Sequence, residues 1–157
     1  MKIALIQSGK TNDRNIAGIA DLYYSRIRRY NSFEIITLPD IRNPGSTPVA
    51  DLKVKEGRKL LGTLAADDYV VLLDERGREY RTVEFADWLS KNLLISRKRI
   101  AFVIGGAWGF SAEVYERADI MMSLSKMTFP HQLVRLLFLE QLYRAFTINR
   151  GEPYHHE

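Results

Sequence analysis

Apolar and polar positions along this chain repeat with two different periods. Short runs rich in β-branched and aromatic residues, at 3–7, 33–38, 69–73, 100–104 and 120–124, have strand character. Longer segments between them, at 13–29, 49–64, 82–94, 111–118 and 130–148, carry apolar residues three and four apart and predict helices, the last ending near Gly151. Thr11, Asn12 and Asp13 supply turn and N-cap chemistry before the first helix, whose Ile16, Ile19, Ala20, Tyr23 and Ile27 share one face. Residues 40–48, with Pro44, Gly45, Ser46 and Pro48, have loop composition, and Asp74-Glu75-Arg76-Gly77 predicts a turn that closes the third strand. Strands alternating with helices predict an α/β fold, a mainly parallel five-stranded sheet flanked by helices. No repeat, linker or low-complexity segment divides the chain, so residues 1–157 form one domain.

The last helix departs from the surface pattern. Leu133, Val134, Leu136, Leu137, Phe138, Leu139, Leu142, Ala145 and Phe146 wrap nearly its whole circumference. A surface helix keeps a polar face, so this one calls for cover on two sides. It is either central in one monomer or placed between its own sheet and a symmetric partner. In so short a chain the homodimer is the favoured expectation.

Composition changes this picture mainly by exclusion. The chain has no cysteine, which removes disulfides, thiolate metal sites and cysteine nucleophiles. Its three histidines, without a spaced carboxylate, do not make a metal site. Residues 1–7 read as a strand rather than a leader, and Arg135 and Glu140 interrupt the most apolar segment, so a cytoplasmic protein with no membrane span is expected. A formal net charge of +4 suits an RNA-contacting face without requiring one.

Candidate chemistry collects at the loops that follow strands. Gly105-Gly106-Ala107-Trp108-Gly109 matches neither the dinucleotide fingerprint nor the phosphate-binding loop. Glycines at the carboxyl end of a parallel strand let a ligand approach the backbone, although a tight strand-to-helix turn would use the same residues. The segment 123–131 enters the last helix with Pro130 suited to its first turn and Thr128 able to cap it. Its open amides and carbonyls are able to read the polar edge of an adenine; an N-capped turn serving only the helix is the alternative. With Leu73-Asp74, three loops leave the strand edge where open α/β sheets bind ligands.

The motifs Phe102-Val103-Ile104-Gly105-Gly106-Ala107-Trp108-Gly109, Leu124-Ser125-Lys126-Met127-Thr128-Phe129-Pro130-His131, Glu140-Gln141-Leu142-Tyr143-Arg144-Ala145 and Pro153-Tyr154-His155 occur in fixed order. Together with the opening strand and Lys55-Glu56-Gly57, they resemble the RlmH family of SPOUT methyltransferases over essentially the whole chain. The resemblance implies a SPOUT-type α/β knot with a deep C-terminal trefoil. It implies a homodimer that transfers methyl from S-adenosyl-L-methionine (SAM) to N3 of a pseudouridine in large-subunit (23S) ribosomal RNA, on the assembled ribosome. It also implies that Leu73, Gly105, Leu124, Ser125, Lys126, Met127, Thr128 and Phe129 hold the cofactor, and that Tyr154 and His155 lie near the target base. One departure stands out: family members often place Arg or Lys after that histidine, where this chain has His156 and Glu157.

Methylation at an imide nitrogen requires alignment, loss of the N3 proton and exclusion of water. His155 is the first candidate base, because histidine titrates near neutral pH; His131 is a weaker one whose expected role is to bond its loop. Tyr154 and Trp108 are candidates for stacking on a base, and Trp108 is equally suited to covering the core. Arg135 is able to meet a phosphate or a carboxylate across a dimer, or to serve as an ordinary surface or interface arginine. Glu140 and Arg144, four apart, are expected to pair. Arg76, Arg78, Arg81, Arg97, Lys98 and Arg99 are the electrostatic candidates for RNA. Three competing readings are a non-catalytic RNA- or ribosome-binding protein of the same fold, a SPOUT enzyme with another RNA target, and a small-molecule nucleotide enzyme, the last disfavoured by the missing fingerprints.

Overall fold

The computed structural model describes residues 1–42, 45–95 and 97–157; Pro44 of the predicted loop falls outside them. The strands are β1 (Lys2–Ser8), β2 (Phe33–Leu38), β3 (Asp68–Glu79), β4 (Arg99–Ile104) and β5 (Ile120–Ser123). The helices are α1 (Arg14–Ile27), α2 (Val49–Gly62), α3 (Thr82–Leu93), α4 (Ala112–Arg117) and α5 (His131–Asn149). All strand pairings are parallel, in the order β2-β1-β4-β3-β5.

A parallel sheet must bury both faces, and the residue alternation does so. Ile3, Leu5, Ile100 and Phe102 point to one side, where Phe138, Leu139 and Leu142 of α5 pack with Phe85 and Leu89 of α3 and Ile27 of α1. Ile6, Val70, Leu72, Ala101 and Val103 point to the other, against Leu60 of α2 and Val114 of α4. α5 thus lies between α1 and α3, yet Leu133, Leu136 and Leu137 remain only half-buried. Asp13 caps α1 as the sequence predicts, its Oδ1 accepting from the amides of Asn15 and Ile16.

The amino ends of the central strands are tied by charge. The buried Asp68 carboxylate accepts from Arg99 Nη2 at 2.5 Å and Nε at 3.1 Å, and Arg99 Nη1 reaches Glu34 at 3.2 Å. Fork-on-carboxylate geometry satisfies both partners, and removing one would leave a buried charge uncompensated, at a cost of about 3–5 kcal/mol. Arg99 is therefore an internal ion-pair partner rather than a free cation for RNA.

The turn predicted at residues 74–77 is corrected. β3 does not end at Leu73. Residues 68–73 pair with β4 on one side, residues 71–73 pair with β5 on the other, and the strand continues beside β5 through Glu79 after a shift in register between Leu73 and Arg78. Gly77 permits this, because a Cβ there would stand 2.6 Å from the main chain of Met121 and Met122.

Candidate functional site

Leu73 is in register with both Ile104 and Met122, so the ends of β4 and β5 lie level with the point where the register of β3 shifts. That part of β3 and the loops after β4 and β5 line a cleft of about 980 Å³. Of the eight residues expected to hold a cofactor, seven line it: Leu73, Gly105, Leu124, Ser125, Met127, Thr128 and Phe129. Lys126 does not; its side chain is 87% exposed and lies 3.7 Å from Glu79.

The glycine loop is shaped from behind. Gly106 donates its amide to Glu56 Oε1 at 2.9 Å, and Ser8 Oγ donates to the same oxygen at 3.0 Å. A Cβ at Gly106 would meet that carboxylate at 2.7 Å, which explains the glycine sterically. At Gly105 a Cβ would meet the Phe110 ring at 3.1 Å; a larger residue there would press on a wall of the cleft through that ring rather than fill the cleft directly.

The loop after β5 is held by its own hydroxyls. Ser123 Oγ donates to the Ser125 carbonyl at 2.8 Å, and Ser125 Oγ accepts from the Met127 amide at 3.0 Å. Thr128 does not cap α5 as predicted: its hydroxyl donates to Glu75 at 3.1 Å, across the cleft, and Pro130 occupies the cap position without a side-chain bond. Among the described residues the amides of Lys126, Thr128 and Phe129 make no hydrogen bond, and those of Thr128 and Phe129 belong to the cleft lining.

Asp74 sets the charge of the rim. Its carboxylate accepts from Tyr115 Oη at 2.5 Å and from the Arg76 amide at 2.8 Å, while the Arg76 guanidinium donates to Tyr115 and lies over its ring. Burial pushes the Asp74 carboxyl up, but the hydrogen bonds from Tyr115 and Arg76 outweigh it and hold the group below the usual carboxylate range. Burial and the bond to Asp74 push the Tyr115 phenol up. Asp74 is therefore a fixed anion, shared with Arg76 at the rim. Sequence reasoning gave no role to Glu56, Phe110 or Tyr115; Glu56 carried a signal as part of the Lys55-Glu56-Gly57 segment, and Asp74 as the neighbour of Leu73.

The remaining candidates lie apart. Tyr154 is half-buried, its hydroxyl 3.2 Å from Glu140 Oε1 and 3.3 Å from Tyr23 Oη, with its ring edge-on to Tyr143. Glu140 and Arg144 pair at 2.5 Å, as their spacing predicts. His155 Nδ1 lies 3.3 Å from Arg144 Nη1. Arginine only donates, so Nδ1 accepts and the ring proton sits on Nε2, a buried atom without a partner among the described residues. Neither Tyr154 nor His155 lines the cleft in its own chain, whereas the exposed His131 does. Arg135 is buried on the opposite side of α5, donating to Thr11 and to the Ser8 carbonyl. Trp108 is half-buried and outside the cleft lining.

Several of the RNA candidates are engaged. Arg76 bonds Asp74, Arg78 covers the Tyr80 ring, Arg81 pairs with Glu157 at 3.0 Å and Arg97 with Asp119 at 3.6 Å. Lys98 is exposed. Among the described residues no group of three or more His, Asp or Glu side chains converges as a metal site, and no helix is long and apolar enough to cross a membrane.

A family model described as "Predicted SPOUT methyltransferase" matches residues 1–155. The chain is 46% identical over 156 residues to a ribosomal RNA large subunit methyltransferase H of Christiangramia forsetii, covering 99% of each chain. It is 47% identical over 157 residues to the protein of that name in Porphyromonas gingivalis, covering 100% of both. Among solved structures it has a distant likeness to Nep1 of Archaeoglobus fulgidus bound to S-adenosylhomocysteine, with a TM-score of 0.43 and 13% identity over 92% of this chain and 97% of that one. With a model matched almost end to end and full-length relatives near half identity, the chain belongs to the SPOUT methyltransferase family, alongside the ribosomal RNA large subunit methyltransferase H proteins.

Proposed function

We propose that this protein is a SAM-dependent methyltransferase acting on N3 of a pseudouridine in large-subunit ribosomal RNA, on the assembled ribosome, as a cytoplasmic homodimer. The observation that carries this reading is the cleft at the ends of β3, β4 and β5, lined by seven of the residues expected to hold the methyl donor. Its chemistry fits that group: the unpaired amides of Thr128 and Phe129, both in the lining, are donors for an adenine's polar edge, and the ionised Asp74, shared with Arg76, is an acceptor for a donor group of the ligand. Bound SAM supplies an activated methyl group. The chain's own residues hold that donor, align the base and keep water out.

His155 is the proposed acceptor of the N3 proton, Tyr154 stacks near the base, and Arg135 assists by its charge. To accept a proton at Nδ1, His155 must leave Arg144, so the tail is released or comes from a second copy. The half-buried Leu133, Leu136 and Leu137, with Met127 74% exposed, offer an apolar surface for that copy. The trefoil threading implied by the resemblance belongs to the same proposal.

The test is transfer of labelled methyl from SAM to assembled ribosomes with and without pseudouridine in the large-subunit RNA. Pseudouridine-dependent label at a base nitrogen is the expected result. RNA binding with no SAM affinity would instead leave a non-catalytic RNA-binding protein. SAM binding with label on other RNA would leave a methyltransferase with a different target.

A further inference from the structure

A second cleft, of about 790 Å³, opens at the carboxyl ends of β1 and β2 and shares no lining residue with the first. The first turns of α5 separate the two: His131 and Val134 line the methyl-donor cleft, whereas Arg135 and Leu139 line this one. Arg135 is only 1% exposed. Its two terminal nitrogens donate to neutral oxygens, the Thr11 hydroxyl at 3.1 Å and the Ser8 carbonyl. Its Nε has no partner, and no carboxylate among the described residues forms an ion pair with it; Asp40 acts on it only at longer range. A buried guanidinium that keeps a bare N–H and lacks a counter-ion is strongly unfavourable unless an anion completes it.

The surroundings define that anion. Lys10 and Arg42 stand exposed at the rim, so the lining cations outnumber the acids Asp21 and Asp40. The floor is apolar and partly aromatic, formed by Ala20, Tyr24, Ile35 and Leu139. A lone phosphate would use a small part of this volume and none of the floor, whereas a phosphate joined to a planar base uses both.

We propose that this cleft is a nucleotide subsite: the phosphate pairs with Arg135, Lys10 and Arg42, and the base lies on the floor beside Tyr24. Asp40 is then the acceptor for a base N–H or a sugar hydroxyl. Resting on the ribosomal RNA reading, the nucleotide is one that neighbours the target base in the substrate strand; a free mononucleotide carries the same chemistry.

Titration of the isotopically labelled full-length protein with uridine, uridine 5′-monophosphate and a 5′-phosphorylated uridine trinucleotide tests this by amide shifts. Shifts are expected at Thr11, Asn12 and Thr37, with phosphorylated ligands bound at least about tenfold tighter than uridine, the scale of a charge-assisted contact. Binding of both phosphorylated ligands supports the subsite and identifies a free nucleotide as sufficient; binding of the trinucleotide alone supports it and identifies an RNA strand as the source. Uridine bound as tightly as its monophosphate, or shifts confined to other surfaces, overturns it. Arg135→Gln should abolish the phosphate preference. Because a buried substitution can unfold the chain, Lys10→Ala/Arg42→Ala at the exposed rim is the second variant. It should weaken phosphorylated ligands about tenfold and leave SAM affinity unchanged, and wild-type nucleotide affinity in it overturns the proposal. Intact SAM binding and methyl transfer with no nucleotide in this cleft would remove the subsite alone; nucleotide binding here with no transfer to ribosomes would remove the methyltransferase reading alone.

Discussion

At the carboxyl edge of β4 and β5, beside the shifted part of β3, the chain makes a cleft from loops, whereas at its terminus it makes a cluster of side chains bonded to one another, His155 Nε2 excepted. In the cleft, glycines and hydroxyl bonds within the loop after β5 shape a lining in which the amides of Thr128 and Phe129 have no partner among the described residues. In the tail, Glu140 Oε1 receives Arg144 and Tyr154 together, and the Arg144 guanidinium lies 4.7 Å from the Tyr154 ring centre. Further contacts hold the tail down: Tyr30 donates to Glu152 at 2.6 Å, which pushes the Tyr30 phenol up to about 12. The cleft keeps donors unpaired, whereas the polar groups of the tail are mostly paired with one another. A group in the second state acts only after its present partners are given up, so the two regions should respond differently to substitution.

The largest effect is expected in the tail. His155→Ala should slow single-turnover methyl transfer by about 100-fold, the lower end of general-base contributions, and spare SAM affinity. An unaltered rate would remove His155 from the chemistry. Next is Gly105→Val, whose side chain presses on Phe110 and should weaken SAM binding by roughly 10- to 100-fold, the scale of an overpacked contact; calorimetry on a folded variant with unchanged affinity would refute that arrangement. Tyr154→Ala should cost about tenfold in transfer, and Tyr154→Phe should restore it, if the ring stacks on the base. Equal loss in both variants would instead assign the effect to the hydroxyl between Tyr23 and Glu140.

The smallest effect is at the rim. Tyr115→Phe removes a donor to Asp74 and should cost about 1 kcal/mol of stability at neutral pH. The sign follows from the depressed Asp74 carboxyl: its contribution is full above the unfolded value and is lost as pH falls through the folded one. The gap between wild type and variant in urea unfolding should therefore narrow in acid. A gap that stays constant down to about pH 2 would show that the ionised carboxylate is not what Tyr115 supports.

Most of the framework was legible from local pattern. The strands and helices follow from apolar periodicity, and the cap at Asp13 from its own side chain. What stayed hidden depends on partners distant in sequence. Asp74-Glu75-Arg76-Gly77 has turn composition, but β5 pairs with Arg78 and Glu79 and draws those residues into one long strand. Thr128 has cap chemistry, yet Glu75 from β3 takes its hydroxyl. Arg135 is recognisable as helical; its burial is not, because a charged residue in an apolar helix ordinarily faces water. Glu56 belongs to the Lys55-Glu56-Gly57 segment that carries the resemblance, but its role shows only when Ser8 and Gly106 converge on it.

That convergence has a thermodynamic consequence. Arg135 holds the Ser8 carbonyl, Ser8 Oγ holds Glu56, and Glu56 holds the Gly106 amide, so one hydrogen-bonded line runs from the second cleft to the first. If an anion drawing on Arg135 alters SAM affinity through this line by some factor, SAM must alter affinity for that anion by the same factor. Measured from either end, the two ratios have to agree, and the reciprocity makes the donor and the strand being modified each a gauge of the other's arrival.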